Sequence, residues 1–139
     1  MPKQEKTEYR FLIVDDECDG GNLETITSLF WSNVTVQRVG TNNRALEALR
    51  SQSYDVIFYD LGMENGVWGG GNYPITHRIR ESSSRAVLIG ISAHPQSHPS
   101  VEDVDAVRDK RILLYQGQGE LQRLLQGYGI DLERRQRKG

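Results

Sequence analysis

Phe11-Leu12-Ile13-Val14-Asp15-Asp16 and Val56-Ile57-Phe58-Tyr59-Asp60 are the two stretches that decide the fold. Each is a short apolar run that stops at an acid. Such a run reads as a buried parallel strand delivering a carboxylate to the carboxyl edge of a sheet, where open α/β proteins keep their sites. Three carboxylates brought together repel one another, and each favours its neutral form unless a cation sits among them. Asp15, Asp16 and Asp60 are therefore a candidate site for Mg²⁺, a cation that takes a few carboxylates and keeps part of its water.

Outward from these strands, helical and extended patterns alternate. Asn22 is placed to cap a helix with Leu23, Ile26, Leu29 and Phe30 on one face, and Val34 with Val36 alternates as a short strand. Asn42 or Asn43 opens a helix carrying Ala45, Leu46 and Leu49. After Tyr59 comes a glycine-rich loop, Leu61 to Tyr73, and then Pro74 at the first turn of a helix with Ile75 and Ile79 as an i, i+4 pair. Val87 to Ile91 reads as the fourth strand. Val101, Val104 and Val107 are weakly amphipathic, Ile112 to Tyr115 reads as the fifth strand, and Leu121, Leu124 and Leu125 make a last helix that Gly127 and Gly129 stop. Ile130 and Leu132 are left to cover the core or a second subunit. Five strands alternating with helices imply an α/β, doubly wound parallel sheet of (βα)₅ type with right-handed crossovers.

Composition narrows the class. The chain has 139 residues, a net charge of −2 and a single cysteine, Cys18. One domain is expected, with residues 1–9 a polar extension, 10–127 the domain and 128–139 a basic tail. That charge balance gives no reason to expect nucleic acid or an anionic membrane as partner. Arg134, Arg135, Arg137 and Lys138 read as a solvated end. No run approaches a membrane span and the N-terminus carries no signal core, so a cytoplasmic location is expected. One cysteine excludes an internal disulfide.

These residues carry a resemblance to the receiver domain of response regulators, the phospho-acceptor module of two-component signalling. Phe11 to Glu17 is similar to that family's first strand and acidic pair, and Tyr54 to Asp60 resembles the strand ending in its phosphorylated aspartate. Leu88-Ile89-Gly90-Ile91-Ser92-Ala93 resembles its fourth strand, which ends in Ser or Thr and a small residue. The resemblance covers nearly the whole chain. It implies a flavodoxin-like fold with strand order 2-1-3-4-5, phosphorylation of Asp60, and Mg²⁺ held by Asp15, Asp16, Asp60 and the Gly62 carbonyl. Ser92 would donate a hydrogen bond to the phosphoryl group. A histidine kinase or phosphotransfer protein would be the donor and a downstream target protein the receiver of the signal, with no direct nucleic acid contact, no membrane and homodimerisation left open.

The family's strand-five lysine has no counterpart in this reading. If the fifth strand ends at Tyr115, Gln116 takes its place; if Tyr115 is matched to the family's aromatic switch residue, Gln118 does. Lys110, before that strand, would lie at the opposite edge. Loss of a charged partner would leave phosphorylation better preserved than switching. Glu64 also stands where a proline is usual. The alternative function is a degenerate receiver serving as a phosphorylation-independent interaction module. An aspartyl phosphohydrolase, the enzymatic alternative, lacks an acid two residues after Asp60, so no classical enzyme activity is expected. Asp15-x-Glu17-x-Asp19-Gly20 begins like a calcium loop but has Ile26 at its twelfth position, and Gly69 to Gly71 form no nucleotide loop.

Overall fold

The computed structural model describes residues 7–64, 73–97, 101–115 and 118–135. Five parallel strands, β1 (Tyr9–Val14), β2 (Val34–Val39), β3 (Val56–Asp60), β4 (Val87–Ser92) and β5 (Ala106–Asp109), form one sheet in the order β2-β1-β3-β4-β5. Helices α1 (Cys18–Phe30), α2 (Asn42–Ser51), α3 (Pro74–Ser82), α4 (Lys110–Tyr115) and α5 (Gln118–Gln126) surround it. The expected flavodoxin-like order is thus observed. β1 and β3 are side by side, Val14 opposite Tyr59, so Asp15 and Asp60 leave the sheet at the same edge.

Alternation along the central strands divides the core in two. Phe11, Ile13, Val56 and Phe58 face α1 and α5, meeting Leu23, Leu121 and Leu125. Leu12, Val14, Ile57 and Tyr59 belong to the other face with Leu46 and Leu49 of α2 and Ile79 of α3. This is why β1 and β3 read as continuous apolar runs: both of their faces are covered. α2 starts as expected, with Thr41 accepting from Arg44 N, and Pro74 occupies the first turn of α3.

Several expectations are corrected. α1 starts at Cys18, with Asn22 inside it and Leu29 largely exposed. The fifth strand is Ala106–Asp109, not Ile112 to Tyr115, which lies in α4. An edge strand whose residues are all half-buried has no apolar run to announce it. The run Ile112-Leu113-Leu114-Tyr115 is too short for periodicity to separate a strand from a helix. Val101 and Val104 precede β5 in a coil that packs on the second core face, and among the described residues no α-helix lies between β4 and β5.

The carboxyl-terminal segment is built into the fold. Gly129 adopts φ 81°, the left-handed turn that closes α5, and Ile130 N donates to Leu125 O at 3.0 Å. Ile130 and Leu132 are buried in the α1/α5 core. Ser32 N donates to Glu133 O, Arg135 N donates to Phe30 O, and Arg134 stacks 4.8 Å over the Phe30 ring. Arg134 and Arg135 therefore cap the end of α1 instead of fraying. Trp68, Gly69 to Gly71, Gln116, Arg137 and Lys138 lie outside the described residues. No helix among the described residues is long and apolar enough to cross a membrane.

Candidate functional site

Asp15, one residue past β1, is fully buried, and Asp60 at the end of β3 is nearly so, whereas Asp16 is exposed. One carboxylate oxygen from each lies within 4.8 Å of the others. Local hydrogen bonds aim them: Asp15 Oδ1 accepts from Glu17 N at 2.9 Å, and Asp60 Oδ1 accepts from Gly62 N at 2.9 Å. The second bond explains the glycine, because a Cβ at position 62 would stand 3.2 Å from Asp60 Oδ1. Behind the loop, Leu61 packs onto Gly90 of β4, where a Cβ would come within 2.9 Å of the leucine Cδ1.

Lys110 completes the cluster, which overturns the sequence reading of this residue. β5 ends at Asp109, paired with Ser92 of β4, so Lys110 emerges at the carboxyl edge with the acids and not at the opposite one. Its Nζ is buried, 3.3 Å from Asp15 Oδ2, 3.4 Å from Asp60 Oδ2 and 3.2 Å from Glu17 Oε2. A buried ammonium thus stands among the acids, and Gln116, expected in that role, lies outside the described residues. Gln118 accepts from the Trp31 indole at 2.6 Å in the α1/α5 layer. A signal for Lys110 existed: in a chain with thirteen arginines it is the only lysine between Lys6 and Lys138. An ammonium is a compact point charge with three donors, and here three carboxylate oxygens lie within 3.4 Å of it.

The charges explain one another. Burial pushes the Asp15 carboxyl up from 3.8 to about 6; the Glu17 N–H pulls against this, the Asp60 charge adds to it, and Lys110 opposes it. Burial works against the charge of Lys110, but Asp60, Asp15 and Glu17 outweigh it and raise its pKa above the ordinary lysine value. Oxygen-only donors gathered this closely suit a hard divalent cation, so the residues present fit Mg²⁺.

Ser92 ends β4, buried, its Oγ accepting from His94 N at 2.9 Å, which leaves its O–H free to donate elsewhere. Glu64, which sequence reasoning registered only as a missing proline, is buried and accepts from Thr76 N at 2.6 Å, Thr76 Oγ1 at 2.7 Å and Ile75 N at 3.3 Å. It ties the loop after Asp60 to the first turn of α3. On the other side Asn42 of α2 donates to Met63 O at 3.1 Å and accepts from Tyr59 OH at 2.9 Å.

No family model and no curated protein matches the sequence. Solved structures do. The response regulator TrrA of Thermotoga maritima, in complex with Mg²⁺ and beryllium fluoride, aligns over 86% of this chain and 98% of its own at 19% identity, TM-score 0.63. The signal receiver domain of an HD domain-containing protein from Pseudomonas fluorescens aligns over 92% of each chain at 15% identity, TM-score 0.70. TrrA in complex with the histidine kinase ThkA aligns over 86% of this chain and 97% of its own at 21% identity, TM-score 0.61. The chain has the receiver-domain fold over most of its length.

Proposed function

We propose that the chain is a phospho-acceptor signalling domain that takes a phosphoryl group on Asp60 and acts through protein contacts. The observation that carries this reading is the buried Lys110 ammonium, within 3.4 Å of both Asp15 and Asp60 at the carboxyl edge of the sheet. An Asp60 carboxylate oxygen attacks the phosphorus of a phosphohistidine or small phosphodonor. The new O–P bond forms as the bond to the donor breaks, and the leaving group departs with the electron pair. Asp15, Asp16, Asp60 and the Gly62 carbonyl would hold Mg²⁺, which supplies neutralisation of the phosphoryl oxygens. Lys110 offers a charge-assisted hydrogen bond to the same oxygens, and Ser92 offers its hydroxyl.

A histidine kinase or phosphotransfer protein is the donor in this reading, supported by the kinase complex of TrrA. The degenerate-receiver alternative is suggested by the absent strand-five lysine and by the altered Gly62 to Gly71 loop; the buried Lys110 weighs against the first ground, and residues 65–72 of that loop lie outside the described residues. The test is intact mass after incubation with Mg²⁺ and acetyl phosphate. A base-labile phosphoryl adduct that disappears in Asp60→Asn is expected. No adduct with the wild type, or an undiminished adduct in Asp60→Asn, overturns the proposal.

A further inference from the structure

β5 decides where Lys110 stands, yet it is the shortest strand of the sheet. It has four residues, all half-buried, at the sheet edge, and among the described residues it pairs only with β4. Register is enforced where one face is deeply buried, and a one-residue slip turns every side chain to the opposite face. Such a slip would also move Lys110 by about 3.3 Å along the strand, comparable to its whole distance from Asp60. The crossover from β4 has no α-helix among the described residues to pin the strand from outside.

Arg80 of α3 does that pinning. Its Nη1 donates to Ala86 O at 2.8 Å, just before β4; its Nε donates to Asp103 O at 2.9 Å, just before β5; its Nη2 donates to Asp105 Oδ2 at 2.8 Å. The same Asp105 oxygen accepts from Leu88 N at 2.8 Å, while Asp105 N donates to Leu88 O at 2.7 Å. One planar guanidinium thus fixes the start of β5 against the start of β4 at a single offset, a geometry that a lysine's point charge cannot reproduce. His77, a turn earlier on α3, adds contacts at 3.3 Å to both carboxylate oxygens of Asp103.

We propose that Arg80, through Asp105, is a positioning residue that sets the register of β5 and so places Lys110 against Asp15 and Asp60. Its functional weight rests on the phospho-acceptor reading of that cluster; its structural content does not. The test uses the full chain with Arg80→Met, which keeps most of the aliphatic stem and removes the fork, and with Asp105→Asn, which keeps an oxygen for Leu88 N. Lys110 acetylation by an amine-reactive ester is followed by peptide mass spectrometry, alongside hydrogen exchange of the backbone.

In Arg80→Met, Lys110 is expected to be acetylated about tenfold faster or more, the factor that losing a charge-assisted hydrogen bond gives to a local opening. Protection of β1 and β3 should stay at the wild-type level while that of β5 falls, and Arg80→Lys should be intermediate. Where Arg80→Met loses protection throughout the sheet, Asp105→Asn carries the same expectation. Wild-type acetylation of Lys110 in a folded Arg80→Met or Asp105→Asn overturns the proposal. Failure of the wild type to take phosphate would defeat the phospho-acceptor reading and leave the acetylation result standing.

Discussion

Asp15→Asn should make the metal-free protein more stable at pH 8 and leave it nearly unchanged at pH 4. Asp15 is fully buried, and burial together with the Asp60 charge lifts its pKa from 3.8 to about 6. The folded state therefore holds this proton more tightly than the unfolded chain. Stability falls as pH rises from about 4 to about 6, where the unfolded chain has released the proton and the folded one has not, and is level above that window. The gap between 3.8 and about 6 corresponds to about 3 kcal/mol of cost at neutral pH. Asparagine removes the charge and keeps an oxygen for Glu17 N–H, but loses the pairing with Lys110, so a gain of about 1 to 3 kcal/mol is expected. For a domain of this size that is a rise of roughly 3 to 9 °C in Tm. Thermal melts in EDTA at pH 4, 6 and 8 measure it. A fall in Tm at pH 8, or an equal rise at all three values, would refute the reasoning: the first by showing that Asp15 is held by its cation, the second by showing that ionisation is not involved.

Mg²⁺ should bind the wild type weakly and raise its Tm by mass action, and Asp16→Ala should abolish most of that binding in titration calorimetry; unchanged affinity would remove Asp16 from the site. Glu64→Ala leaves Thr76 N, Thr76 Oγ1 and Ile75 N without their acceptor, for a loss of about 2 to 4 kcal/mol in urea unfolding, with Glu64→Gln losing less. Gly90→Ala forces a methyl to within 2.9 Å of Leu61, for a cost of about 1 to 3 kcal/mol that should be partly recovered when combined with Leu61→Ala. Lys110→Met should cost about 3 kcal/mol or more at pH 8 and less at pH 5, because Asp15, whose pKa is lifted to about 6, is protonated there and needs no cation; an equal cost at both pH values would mean that Lys110 acts by packing alone.

What sequence reveals depends on how deeply an element is buried. β1, β3 and β4 are covered on both faces, so their apolar runs stand out and their last residues mark the carboxyl edge; Asp15, Asp60 and Ser92 were legible for that reason. The edge strand β5 carries Ala106, Val107, Arg108 and Asp109, half-buried throughout, and no pattern in those residues competes with the apolar run that follows. Choosing Ile112 to Tyr115 moved the strand end by six residues and carried Lys110 from the site to the far side of the sheet. The Glu64 tie was illegible for a different reason: its partners Ile75 and Thr76 lie eleven and twelve residues on, and no local spacing records that pairing.

The charge at the sheet edge accounts for the lysine once the strand ends are placed. Asp15, Asp16, Glu17 and Asp60 converge on one sheet edge, and Asp15 and Asp60 are buried there. Like charges sharing a buried site repel unless a cation offsets them. Lys110, the one lysine between Lys6 and Lys138, supplies that cation. The acid cluster thus selects the lysine, and the lysine in turn identifies the strand that must end beside it. The same logic assigns Arg80 its place: a half-buried edge strand that must end on one residue needs its register set from outside its own sequence, and the guanidinium of α3 grips the chain just ahead of β4 and just ahead of β5 at once.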